Sequence, residues 1–139
     1  MDSSRQQPWI PAALLLGALY VIVGRLFPAP VTYLQEWRLA AWLVCGVAFA
    51  AHIAYEHFSL RHSPLLVAWH SAVAVAIGAF LLAVAGMIHS LWATSEVRTV
   101  WFLALVLWPA FTAIPAFLVA LVIASLLKHL RLRTDRVND

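Results

Sequence analysis

The chain has 139 residues, 64% hydrophobic and only 11% charged, with nine Lys and Arg against six Asp and Glu for a net charge of +3. Soluble domains run at about half apolar and about a quarter charged, and one small core cannot enclose such an excess, so the composition points to lipid as the solvent. A disordered segment is excluded by the low charge and high hydrophobicity, and a disulfide-built secreted module by the single cysteine, Cys45; an ordinary water-soluble enzyme domain is excluded by the apolar excess itself.

Four apolar stretches follow in chain order, at residues 10–26, 37–55, 65–91 and 100–127. A hydrocarbon core about 30 Å thick takes about 20 helical residues, and only helices or closed barrels satisfy the backbone inside it. The short alternating segments of a barrel are absent. The reading is therefore an all-α membrane protein, one domain of four antiparallel transmembrane helices in a compact bundle, with a short basic tail at 128–139. The connections are short, Phe27 to Glu36 with Pro28 and Pro30, then Glu56 to Pro64, then Trp92 to Thr99, and helices joined so tightly run antiparallel.

The first stretch is expected to stay as a helix, because Phe27 and the flanking prolines do not make the small-residue site of a cleaved signal peptide. With both termini cytoplasmic, Arg5, Arg61, Lys128, Arg131, Arg133 and Arg136 lie inside and Arg25, Arg38 and Arg98 outside. That distribution favours this orientation, with the bacterial inner (plasma) membrane as the default location. Basic residues of the tail are also suited to anionic headgroups. Trp9, Trp37, Trp92 and Trp101 fall near the expected interfaces, as an aromatic belt does.

Small residues mark where membrane helices pack. The first helix carries Ala13, Gly17 and Gly24 with Tyr20; the third carries Ala72, Ala76, Ala79, Ala83 and Gly86; the fourth carries Pro109, Ala113, Ala116, Ala120 and Ala124. These are packing seams and imply no ligand. The second helix differs, since its small stripe is also polar: Arg38, Ala41, Cys45, Ala48, His52, Glu56 and Ser59 share one side. Ionisable groups in a membrane helix are costly and mark candidate functional sites. Glu56, four residues after His52, is within side-chain reach of it.

Four of the six histidines, His52, His57, His62 and His70, crowd with Glu56 around the second connection, while His89 and His129 lie elsewhere. His52 and His70 fall at similar depth on neighbouring helices, and two facing imidazoles suit an axially ligated b-type haem. The wider set His52, Glu56, His57, His62 and His70 suits a divalent zinc, iron or manganese ion; a quinone site at His52, Glu56 and His70 is a third option. One geometric objection stands: His70 is nearly opposite the Ala72–Gly86 seam, so if that seam faces the second helix, His70 turns away from His52. The spacing matches no closed zinc pattern and no HExxH helix, and the chain has no GxSxG elbow, phosphate-binding glycine loop or cysteine pair. No catalytic residue is assigned, nor any nucleic-acid partner.

In the fourth helix Pro109 and Pro115 flank Thr112, and a bend is expected there, with Thr112 helping to satisfy the freed backbone. Two functions of different class follow. The leading one is an accessory, anchoring or structural subunit of a membrane assembly, alongside other subunits or copies of itself, with an optional haem, metal or quinone site on the cytoplasmic side. The alternative is a small homo-oligomeric transporter or channel whose path is lined by Arg38, His52, Glu56 and Thr112. A membrane metalloenzyme using the histidines is a third.

Overall fold

The computed structural model describes residues 9–26, 33–94 and 100–138, and these are helical almost throughout, without a strand among them. Four helices follow in order: α1 Trp9–Leu26, α2 Leu34–Ala54, α3 Pro64–Thr94 and α4 Val100–Asn138. α2 continues into a π-helical turn, Tyr55–Ser59. Three helical stretches are long and apolar enough to cross a membrane, Gln35–Ser59, Pro64–Ala93 and Val100–Arg131, and α1 is a shorter apolar helix. At about 1.5 Å per residue α1 measures about 27 Å, just under the thickness of a hydrocarbon core.

Two boundaries differ from expectation. Glu56 belongs to the helical turn rather than to a loop, and residues 128–138 form no separate tail but continue α4, which runs for 39 residues. Helix-favouring Leu, Lys and Arg dominate that extension, so the turn-by-turn hydrogen bonding has no reason to stop at the last apolar residue. Lys128, Arg131 and Arg133 are exposed on it. Parts of the first and third connections, residues 27–32 and 95–99, lie outside the described residues.

The most extensive contact of α3 is with α4 and the next with α1, while α2 packs more on α1 than on α3. The α1–α3 contact is made by small residues. A Cβ added at Gly78 would sit 3.0 Å from Tyr20 and 3.3 Å from the Gly17 carbonyl, and one added at Gly17 would sit 3.0 Å from Ile77. Ala13, Leu16 and Ala74 are buried beside this crossing. Along α3, Ala72, Ala79 and Ala83 are buried, and Gly86 lies under the Trp101 ring of α4, where a Cβ would come within 2.5 Å of it. The α3 seam is thus partly occupied by α4 and does not depend on α2. A second apolar core joins Ile53 of α2, Val67 and Ala68 of α3, and Ala120 and Ala124 of α4.

Outside these contacts the helices present large apolar side chains, among them Trp42, Val47, Val106 and Phe111. In water such a surface would be a major cost; against acyl chains it is matched. α4 is helical through both Pro109 and Pro115. Thr112 Oγ1 donates to the carbonyls of Trp108 (2.9 Å) and Pro109 (3.1 Å). The carbonyls that the prolines free are those of Leu105 and Phe111, four residues before each, so Thr112 does not take the compensating part expected of it.

Candidate functional site

The turn between α2 and α3 is built from local rules that leave it little freedom. At the end of α2 the hydrogen bonding widens: Leu60 N–H donates to the Tyr55 carbonyl (3.3 Å), and His62 N–H donates to the Glu56 carbonyl (3.2 Å). Arg61 between them is left-handed, with φ of 52°. This is the left-handed helix stop usually given to Gly or Asn, one residue wider because the last turn is π-helical. α3 then starts at once. Ser63 Oγ accepts the Leu66 N–H (3.4 Å), the Ser63 carbonyl accepts the Val67 N–H (3.0 Å), and Pro64 occupies the first helical position, where its missing N–H costs nothing.

These constraints bring three imidazoles around one carboxylate. Glu56 is fully buried. Its Oε2 accepts from Nδ1 of His62 at 2.6 Å and from Nδ1 of His70 at 2.8 Å, and its Oε1 is 3.1 Å from the same His70 nitrogen. Nε2 of His52 lies 3.8 Å from Oε1, outside hydrogen-bonding distance, and is buried without a partner. A carboxylate without its proton only accepts, and in that state His62 and His70 each present an Nδ1–H to it. The rings of His62 and His70 stand edge to face, with centroids 5.3 Å apart and planes 72° apart. Trp9, the first residue of α1, stacks on His70 at 4.2 Å with only 4° between planes.

The expected site residues divide accordingly. His52, Glu56, His62 and His70 come together. The objection that His70 would turn away rested on the α3 seam facing α2, and the seam partly faces α4 instead. His57 does not join: it is buried, both ring nitrogens lack hydrogen-bond partners, and its ring meets the edge of Phe58. One position along a helix swings a side chain by about 100°, which separates it from Glu56. Arg38 is exposed far along α2, and Thr112 bonds within α4. Trp9 was read from sequence only as an interfacial anchor; the usable signal was the expected topology, which sets the start of the first helix on the same side as the second connection.

A bis-histidine haem does not fit this arrangement. A macrocycle ligated by His52 and His70 would have to lie between two imidazoles that both approach the same carboxylate. A metal ion fits better, since one ligand atom each from Glu56, His62 and His70 lies within 4.8 Å of the others. Removing a carboxylate from water costs several kcal/mol in practice, and buried ion pairs are often no more stabilising than the apolar side chains that would replace them. Stability alone therefore does not account for a fully buried Glu56. No family model, curated protein or solved structure matches the chain.

Proposed function

We propose that this protein is a small multi-pass inner-membrane protein, four antiparallel spans with both termini on the cytoplasmic side, that works as an accessory or anchoring subunit of a membrane assembly. Its functional centre on this reading is the Glu56 cluster, near the cytoplasmic surface. One observation carries the proposal: among the described residues the buried ionisable groups, His52, Glu56, His57 and His70, gather at the α2–α3 junction, whereas large apolar side chains face outward along the rest of the helices. α4 supports it further, because only 11% of its most apolar window is buried, leaving a broad face for lipid or a neighbouring subunit.

Transport has less support. Arg38 and Thr112 stand apart from the cluster, and Thr112 spends its hydroxyl within its own helix.

The test is extraction from native membranes in a mild detergent, followed by mass determination of the particle and identification of what travels with the chain. A particle larger than one protomer, with defined stoichiometry, is the expected result. A monodisperse single protomer without cross-linked neighbours in intact membranes would overturn the subunit reading, and proteoliposome flux abolished by Glu56→Gln would replace it with transport.

A further inference from the structure

The Glu56 cluster has the composition and the spacing of a cation site. Two imidazole nitrogens and one carboxylate oxygen, with a third imidazole nearby, are a borderline donor set, suited to first-row divalent ions and above all to zinc. Calcium and magnesium take mainly oxygen ligands, and here Glu56 is the one carboxylate in the group. Resting on the functional centre proposed above, we propose that Glu56, His62 Nδ1 and His70 Nδ1 bind one Zn2+ ion, with the fourth tetrahedral position left to a water molecule or to His52 Nε2.

The distances support that assignment. Metal–ligand bonds of about 2.0–2.1 Å put the edges of a tetrahedron at about 3.3 Å. The observed separations from the carboxylate are 2.6 and 2.8 Å for His62 and His70, which are hydrogen bonds, and 3.8 Å for His52, which is not. The two separations to Oε2 are within about 0.7 Å of the required edge, and the ligand atoms of Glu56, His62 and His70 all lie within 4.8 Å of one another, so loading asks for small shifts of these rings and for the carboxylate to exchange two N–H donors for the ion. His62 and His70 must give up the Nδ1 proton, either to Nε2 of the same ring or to solvent. His52 provides the independent pointer: its side chain is 4% exposed, and Nε2 lies 3.8 Å from Glu56 Oε1 with no hydrogen-bond partner. A buried ring nitrogen left without a partner is costly, and an ion between it and Glu56 would satisfy it.

The surroundings hold the ligands in place. Trp9 fixes the plane of His70 by stacking. His62 occupies the position after left-handed Arg61 and before the Ser63 cap, so the backbone on either side of it is constrained. The rings of His62 and His70, with planes 72° apart, approach from different directions, as ligands on separate vertices do.

The full chain, carrying a purification tag without histidine, is stripped with a chelator in mild detergent and titrated separately with Zn2+ and Co2+. Metal content, calorimetry and the visible spectrum of the cobalt form are read. We expect one ion per chain and the intense visible bands of tetrahedral cobalt. Affinity should fall by about tenfold or more in Glu56→Gln and His62→Gln, and stay unchanged in His57→Gln. The side chain of His62 is 24% exposed, so its variant is expected to fold even where Glu56→Gln does not; a thermal melt on Trp fluorescence checks both. A folded wild-type chain that retains no ion, or a His62→Gln protein that binds as tightly as wild type, overturns the site. Binding is measured on the isolated chain, so it can fail while the subunit assembly is found, and can succeed while that assembly is absent.

Discussion

α3 is held to its neighbours by opposite means at two places. Near its middle, Gly78 meets Gly17 and Tyr20 of α1 through close backbone approach and no charged group. Near its start, His70 meets Glu56 and Trp9 through a buried hydrogen bond and a ring stack. On the proposed membrane reading, apolar burial gives little net advantage because the alternative surroundings are equally apolar, so the first contact depends on shape. The second depends on completing the valence of a buried carboxylate. Shape tolerates loss of atoms better than their addition, whereas a polar cluster tolerates replacement of all its members better than removal of one.

The largest expected effect tests the polar end. His70→Leu leaves Glu56 buried with one of its two hydrogen-bond donors missing, a change that destabilises by about 3–5 kcal/mol; reversible unfolding in mixed micelles measures it. The comparison becomes sharper with the triple replacement of Glu56, His62 and His70 by Leu, which should recover most of that loss because no charge is left unpaired. If the triple variant is as unstable as the single one, the cluster is a packing element like the glycine crossing, and the contrast fails.

The next effect tests shape. Gly78→Val forces methyl groups against Tyr20 and the Gly17 carbonyl, and overpacking of this kind costs about 1–3 kcal/mol. An unchanged melting temperature would show that α1 and α3 are free to separate there. The smallest effect has the opposite sign. Gly46 has nothing within 4 Å of an added Cβ, so Gly46→Ala should stabilise α2 by about 0.5–1 kcal/mol, detectable as a small upward shift of the same melt.

Much of this was legible in the sequence because it depends on local periodicity. Apolar runs marked all four helices, and the spacing of Ala13, Gly17 and Gly24 marked the face of α1 that meets α3. His52 and Glu56 share a helix face by simple i, i+4 spacing. What was not legible depends on a departure from that regularity. Regular α periodicity carries no sign that the last turn of α2 widens to π, yet that turn leads His62 back to Glu56 and leaves His57 outside. The direction of His70 depended on which neighbour takes the α3 seam, a question of tertiary contact that Ala72–Gly86 could not answer alone. The helical continuation to Asn138 is hidden for a different reason: the sequence turns from apolar to basic there, and a change of side-chain polarity does not by itself end the backbone helix.

The widened turn amounts to an α-helix with one residue inserted. Connections between helices ordinarily accept a residue more or less, but here the count sets the phase between two helices. Deleting one residue between Tyr55 and Ser59 would restore regular α winding and rotate everything beyond it by about 100° relative to α2. That rotation would carry His62 and His70 off the carboxylate while leaving every helix intact. This short segment should therefore be intolerant of length change even where it accepts substitution, as at exposed Phe58 and Ser59. Its information lies in how many residues it has, more than in which ones.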